Sequence, residues 1–202
     1  RGLGDVYKRQ QETSYRLSAE LGAKLQHKLR QQGITLNVFM QMIWAITLNI
    51  YAHREDIVFG TPVSGRSAPI NGLEQQIGLF LNTIPVRVKL NMQQSLWEQL
   101  PHLQQLHVEH LEHDGLGLHG IQQLIAQGNL FDSLLVVENY PDSQYLQQKL
   151  GNAAISKLTN RGYSHYPLAL LVIPDHQIEL LLEQRGVIDQ PEHFLERMVQ
   201  LI

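Results

Sequence analysis

The 202-residue chain has no cysteine. This excludes a disulfide framework, a thiol nucleophile and a cysteine-ligated zinc site. It is compatible with a cytoplasmic protein, which is the expectation here, but does not require one. There is no large excess of either charge: 16 Lys and Arg stand against 19 Asp and Glu, a formal net charge of −3. Without a basic block, nothing invites nucleic acid or an anionic membrane surface as a partner. Long hydrophobic runs are also missing. The longest apolar stretch, about residues 38–51, is interrupted by Gln41, Thr47 and Asn49. It is too short and too polar to read as a membrane span, and no signal peptide is visible. Several catalytic signatures are absent as well: no Gly-x-Ser-x-Gly elbow, Walker loop or dinucleotide Gly-x-Gly-x-x-Gly occurs. The segment Gly60–Gly65 is bounded by glycines but lacks the lysine and the helix start that a phosphate cradle needs.

What is present is ordinary globular composition, 43% hydrophobic and 17% charged, in a chain long enough to bury a core. Residues 1–10 (RGLGDVYKRQ) show no usable period and read as an adapter or cloning scar, so they are set apart from the fold. Residues 18–32 have leucines at 21, 25 and 29, a capping Ser18 and a following Gly33, which predicts an amphipathic helix. A second helix, from about Thr35 to His53, is apolar around most of its circumference and must be wrapped by other elements. Residues 57–61 predict a short buried strand ending at Pro62, followed by a Gly/Ser/Pro-rich loop over 62–72. Residues 84–90 predict another strand.

Ser95 with Glu98 forms a capping-box pattern that opens a helix toward Glu112, with Pro101 predicting a kink or a late start. A short helix at 116–126, a buried strand at 134–139 and an edge strand at 153–159 follow, with 141–152 a flexible loop. Residues 167–174 and 177–184, joined across Asp175 and His176, predict an antiparallel hairpin. Asp189 and Pro191 then start a terminal amphipathic helix with Phe194, Leu195 and Met198 on its apolar side. Alternating helices and buried strands predict an α/β layer fold.

Two segments carry the most information: DIVFGTPVSGR (56–66) and IGLFLNTIPVRV (77–88). Gly60 and Gly65 flank a tight turn where a side chain would obstruct close approach. Arg66 can clamp that turn through backbone carbonyls or a carboxylate such as Glu74. Asn82 and Thr83 stand at the entry to a strand, where short polar side chains can face a channel or satisfy their own backbone. Glu138 and Asp142 flank a strand-end turn and read as solvated charges rather than as an acid pair.

Together with LFDSLLVVENYP (130–141) and YSHYPLALLV (163–172), in this order, these segments resemble the motifs of nonribosomal peptide synthetase condensation domains. The resemblance covers about Tyr15 to Ile202. It implies a chloramphenicol acetyltransferase-like fold: α/β, a mixed β-sheet packed with helices, here only the C-terminal lobe of two that enclose a tunnel. It also implies the chemistry. Phosphopantetheine arms of carrier proteins bring an acyl or peptidyl thioester and an aminoacyl acceptor, and an amide forms. No cofactor is bound directly. Expected partners are carrier protein domains, an adjacent adenylation domain and the N-terminal lobe, where the family's His-His-x-x-x-Asp-Gly motif lies.

By the same resemblance Asn82, Thr83, Thr61 and Ser64 are substrate-channel candidates, while Gly60, Gly65, Arg66 and Gly78 are structural. The segment Gly78-Leu-Phe-Leu-Asn-Thr83 is closer to the condensation branch than to epimerisation, heterocyclisation or coenzyme A-dependent relatives. A non-catalytic lobe that only docks carrier proteins is the alternative from another class.

One pattern imitates the catalytic motif. His110-Leu-Glu-His-Asp114-Gly115 fits His-x-x-x-Asp-Gly, with Glu109 where the first histidine belongs. It follows the Gly-Arg and Asn-Thr segments instead of preceding them, so it reads as coincidence. His107, His110, His113 and His119 carry partial metal-ligand spacing, yet nothing nearby supplies an orienting outer shell. They read as solvated helix histidines, and no metal is expected.

Overall fold

The structure is a computed structural model and describes residues 11–65, 72, 76, 78, 80–113, 115–125, 128–138, 164–174 and 177–202. The described strands are β1 (Gln11–Arg16), β2 (Asp56–Val63), β3 (Asn82–Lys89), β4 (Ser133–Val137), β5 (Leu168–Pro174) and β6 (Ile178–Gln184). The described helices are α1 (Ala19–Gln32), α2 (Leu36–Ala52), α3 (Leu96–Leu111), α4 (Leu118–Ile125) and α5 (Pro191–Leu201).

The strands form one sheet in the order β1-β6-β5-β4-β2-β3. Its pairs are antiparallel for β1·β6, β5·β6 and β2·β3, and parallel for β2·β4 and β4·β5. The sheet is therefore mixed, as expected. Alternate residues along each strand point to opposite faces. Ile57 and Phe59, Val86 and Val88, Leu135, Leu170 and Val172, and Leu180 and Leu182 point into one buried core with the helices. Of the other phase, Val58, Pro85, Leu134, Leu171 and Leu181 are half-buried, whereas Gly60, Ala169 and Glu183 are buried.

Helix α2 is the hub of that core. Thr35 caps it by accepting the Val38 N–H at 3.2 Å, and His53 closes it in the left-handed region at φ 53°. Val38, Phe39, Met40, Ile43, Trp44 and Ala45 are all fully buried. Burying a large apolar side chain contributes roughly 1.5–3 kcal/mol, so packing rather than helix propensity holds this segment. Helix α5 covers one end, with Phe194 edge-on to Trp44 at 5.9 Å. Helix α1 presents Leu25 and Leu29 to the core and stops at Gly33, φ 65°.

Four expectations need correction. Pro62 does not end β2: the ladder to β3 continues to Val63↔Asn82, whereas β4 is in register only at Gly60↔Leu134. Beyond Gly60 no register pair joins β2 to β4 among the described residues, and a position outside the ladder is one where proline is tolerated. Thus Gly60 to Val63 is extended strand rather than turn. Helix α3 is not delayed by Pro101, because the Ser95 capping box starts it at Leu96. The last helix begins at Pro191 with Gln190, not Asp189, in the cap position.

The remaining correction is β1, a strand over Gln11–Arg16 where the sequence suggests none. QETSYR has no apolar alternation, and the strand is held by its ladder to β6 and by an Arg16–Glu179 pair at 3.3 Å. The hairpin of β5 and β6 forms as expected. The expected edge strand at 153–159, the loop at 141–152, the join at Asp175 and His176, and Asp142 lie outside the described residues.

Candidate functional site

The two informative segments meet where the end of β2 runs beside the start of β3. Gly65, φ 61°, lies against the backbone of Phe80, and a Cβ there would collide with the Phe80 carbonyl oxygen. This is the close approach that the glycine spacing implies, made by the chain that leads into Asn82. Ser64, just before it, is exposed. Gly78 is exposed too, and a Cβ there would meet the Phe80 ring at 3.0 Å. Arg66 and Glu74 lie outside the described residues, so the expected clamp is not described.

Gly60 serves a different contact from the one expected. It stands mid-strand, and a Cβ there would run into the Phe131 ring. Phe131 in turn packs at a tilt against Tyr166, ring centres 5.3 Å apart, and His165 packs at a similar tilt against Tyr166 at 4.2 Å. Tyr166 is braced locally: its N–H donates to Ser164 Oγ at 3.1 Å, and the Ser164 carbonyl accepts from Arg185 at 2.7 Å. Burial holds the Tyr166 phenol above its usual value, so it stays protonated.

Thr61, Asn82 and Thr83 part company. Thr61 is 1% exposed, and its hydroxyl donates to the Leu135 carbonyl at 2.9 Å. It joins β2 to β4 just past the last register pair, inside the fold. Asn82 shares the phase of Ile84 and Val86, and its Nδ2 donates to the Leu116 carbonyl at 3.3 Å. Its Oδ1 accepts the Thr83 N–H at 2.9 Å. The asparagine thus spans the strand entry and the segment before α4. Thr83 has the opposite phase, opposite Pro62 and on the same face as Gly60 and Pro85. The structure therefore brings Ser64, Gly65, Asn82 and Thr83 to one corner, but turns Asn82 and Thr83 to opposite faces of the sheet.

The histidines of α3 are not alike. His107 is 8% exposed, not solvated as expected, and its Nδ1 lies 3.3 Å from Gln41 Nε2. Residues 100, 103 and 107 form one helical stripe facing α2. Burial first and the neighbouring His110 second hold the His107 pKa below the ordinary histidine value. His110 is likewise lowered, chiefly by burial. His113 and His119 are exposed, and His119 Nε2 is 3.0 Å from Gln123 Nε2. Among the described residues no three His, Asp or Glu side chains converge on a possible metal position.

The sequence reading assigned no role to Phe131, Tyr166 or Gln41. The signals available were a glycine in mid-strand, which marks a close approach without naming its partner, and a glutamine within an apolar helix. A cavity of about 1050 Å³ lies elsewhere, between α2, α5 and the starts of β4 and β5, with Tyr51, Leu168, His193, Phe194 and Arg197 in its wall. None of the sequence-selected residues lines it.

The condensation domain family model matches residues 4–184. The chain is 46% identical over 187 residues to vanchrobactin synthetase VabF of Vibrio anguillarum, covering 92% of this chain and 7% of that protein. Among solved structures, the condensation domain of the monacolin K polyketide synthase MokA superposes with a TM-score of 0.78 at 16% identity, over 95% of this chain and 46% of that one. A four-domain nonribosomal peptide synthetase bound to AMP and glycine superposes with the same TM-score and identity, over 95% of this chain and 16% of its own. The fold is thus that of condensation domains, which is chloramphenicol acetyltransferase-like. With the glycine approaches and the Asn-Thr strand entry in place, the chain belongs to the condensation domain family of nonribosomal peptide synthetases.

Proposed function

We propose that this chain is the C-terminal lobe of a condensation domain that forms amide bonds between carrier-bound thioesters. The observation that carries the reading is the family match over residues 4–184, joined to a superposition that takes in 46% of a condensation domain chain. In the reaction the acceptor amine attacks the thioester carbonyl. The new C–N bond forms, the C–S bond breaks, and the phosphopantetheine thiol leaves as the amine gives up its proton. The base that orients or receives that proton is assigned to the His-His-x-x-x-Asp-Gly motif of the other lobe. The motif-like His110–Gly115 stretch takes no part, since it starts in the last turn of α3, one turn beyond a histidine packed against α2.

This lobe supplies a wall. Thr83 presents a hydroxyl beside Pro62 and Pro85 on the sheet face away from the helices. Ser64 is exposed at the same corner, and Gly65 holds the segment that enters β3 against β2. Thr61 is assigned to structure rather than to the channel, because its hydroxyl is already bound to Leu135. The partners follow from the same reading: carrier protein domains with phosphopantetheine arms, an adenylation domain and the N-terminal lobe, in the cytoplasm. Among the described residues no single helix is long and apolar enough to cross a membrane.

The test is reconstitution. The chain alone, given loaded donor and acceptor carrier proteins, yields no amide by mass spectrometry. Joined to the preceding lobe of its parent gene it yields product, and Asn82→Ala, which releases the Thr83 N–H and the Leu116 carbonyl, slows transfer about tenfold or more while the protein still folds, since a misplaced group beside the reaction costs up to roughly 100-fold. Product from the lone chain would refute the two-lobe reading. A joined protein that binds loaded carriers without turnover would make this a docking lobe.

A further inference from the structure

Gln41 and His107 are the polar pair inside the α2·α3 interface. Gln41 is fully buried and His107 nearly so. Gln41 Nε2 lies 3.3 Å from Asn37 Oδ1 and 3.3 Å from His107 Nδ1, while Gln41 Oε1 is buried without a hydrogen-bond partner. An amide nitrogen only donates. With the amide in this orientation Nδ1 is the acceptor, which goes with a neutral His107 carrying its proton on Nε2. The side chains that α2 presents here, Asn37 and Gln41, carry no charge, and on α3 the titratable neighbour acting on the ring is His110.

A proton on Nδ1 would face the Gln41 N–H, two donors nose to nose. The amide can relieve this in place by turning through half a rotation. Oε1, now unpartnered, then accepts from Nδ1–H, and Nε2 gives up Asn37. The buried orphan oxygen is thus the acceptor that the protonated state needs. The exchange costs the Nε2–Asn37 bond and leaves Nε2 in the position that Oε1 held, so the protonated state is the less stable of the two.

The consequence runs along the chain. His107 sits one turn before α3 ends at Leu111. From there turn bonds, His113 N–H to the His110 carbonyl at 3.1 Å and Leu116 N–H to the His113 carbonyl at 3.0 Å, lead to Leu116. The Leu116 carbonyl accepts from Asn82.

We infer that the Gln41–His107 contact is a two-state proton latch that sets the end of α3 and, through Leu116, positions the side chain of Asn82. The effect of Asn82 on transfer rests on the proposed condensation function, whereas the latch does not and is read without substrate. His107 is a positioning residue, and burial favours its neutral state. Since its folded pKa is lowered, the stability it confers is fully present above the ordinary histidine pKa. It is lost progressively as pH falls from there toward the folded value.

The experiment is a pH titration of the ¹⁵N-labelled 202-residue chain by NMR. The expected result has three parts. At neutral pH His107 carries its proton on Nε2. Its midpoint lies below the ordinary histidine value. The side-chain amide signals of Gln41 and Asn82 move with the His107 midpoint, and in His107→Gln neither moves over that range. A proton on Nδ1 at neutral pH, a midpoint at or above the ordinary histidine value, a still Gln41 or Asn82 amide, or an Asn82 response surviving in His107→Gln would each overturn the latch. Should His107→Gln fail to fold, the wild-type signals alone decide. Loss of condensation activity in the joined protein would bear on the proposed function and leave these signals unchanged.

Discussion

Gly65 and Gly33 make a matched pair that isolates the energetic weight of the β2–β3 corner. Both have left-handed backbones, φ 61° and φ 65°. A Cβ at Gly33 meets nothing within 4 Å, whereas one at Gly65 collides with the Phe80 carbonyl oxygen. Alanine in the left-handed region costs roughly 1–2 kcal/mol, and the stiffer unfolded chain returns about 0.4–1 kcal/mol. Gly33→Ala should therefore destabilise by roughly 0.5–1 kcal/mol net. Gly65→Ala carries the same backbone penalty and must also push one strand entry away from the other. Overpacking of this kind costs about 1–3 kcal/mol, and here the obstacle is backbone, which cannot rotate aside. Urea titration of both variants should place Gly65→Ala about 1–3 kcal/mol below Gly33→Ala with unchanged slope. In a chain of this size that corresponds to a melting temperature lower by roughly 2–12 °C. Agreement of the two variants within about 0.5 kcal/mol would refute the claim that this approach is a built contact.

Phe194→Ala should cost about 3–5 kcal/mol by chemical denaturation, because its ring is fully buried against Trp44 at 5.9 Å and Tyr51 at 4.9 Å. Thr61→Val should cost about 1–3 kcal/mol, while Thr61→Ser keeps most of the stability, since only the serine can still donate to the Leu135 carbonyl. Ser95→Ala should cost about 0.5–2 kcal/mol by removing the cap that accepts the Glu98 N–H. Hydrogen bonds from Ser95 hold the Glu98 carboxyl below its ordinary value. The part of the cap made by the Glu98 carboxylate is therefore present above the usual carboxylate range and is lost as pH falls through the folded value, whereas the bond from the Glu98 N–H to Ser95 Oγ does not titrate. The gap in melting temperature between wild type and Ser95→Ala should accordingly narrow on acidification without closing.

Local signals carried much of the fold. Ser18, Thr35, Ser95 and Pro191 mark helix starts by chemistry that acts within one turn, and the structure uses all four as starts. The all-round apolar character of α2 foretold its central place. What was hidden depends on partners distant in sequence. β1 is a strand only because β6 offers it a ladder. Pro62 stays in β2 because its ladder runs to β3, while the register with β4 is confined to Gly60 among the described residues. At the site, Gly65 was legible as a close approach, but Gly60 concealed its Phe131 partner. Thr61 looked like a neighbour of the channel because it sits between informative glycines, yet strand alternation turns it inward. His107 could not be told from its exposed neighbours until the α2·α3 stripe was known.

The sheet order has a consequence for birth rather than for catalysis. β1 leaves the ribosome first of the described strands, yet its ladder is to β6, and Gln11 meets Gln184 across a separation of 173 residues. At roughly 5–20 residues per second of synthesis, β1 waits on the order of 10–35 s before its partner exists. Through that interval α1 and α2 can form on local signals, while the first-made strand stays unpaired. It is polar throughout, a composition suited to waiting in water without seeking the wrong strand. The same lack of apolar alternation that hid β1 from view thus protects the nascent chain until its sheet can close.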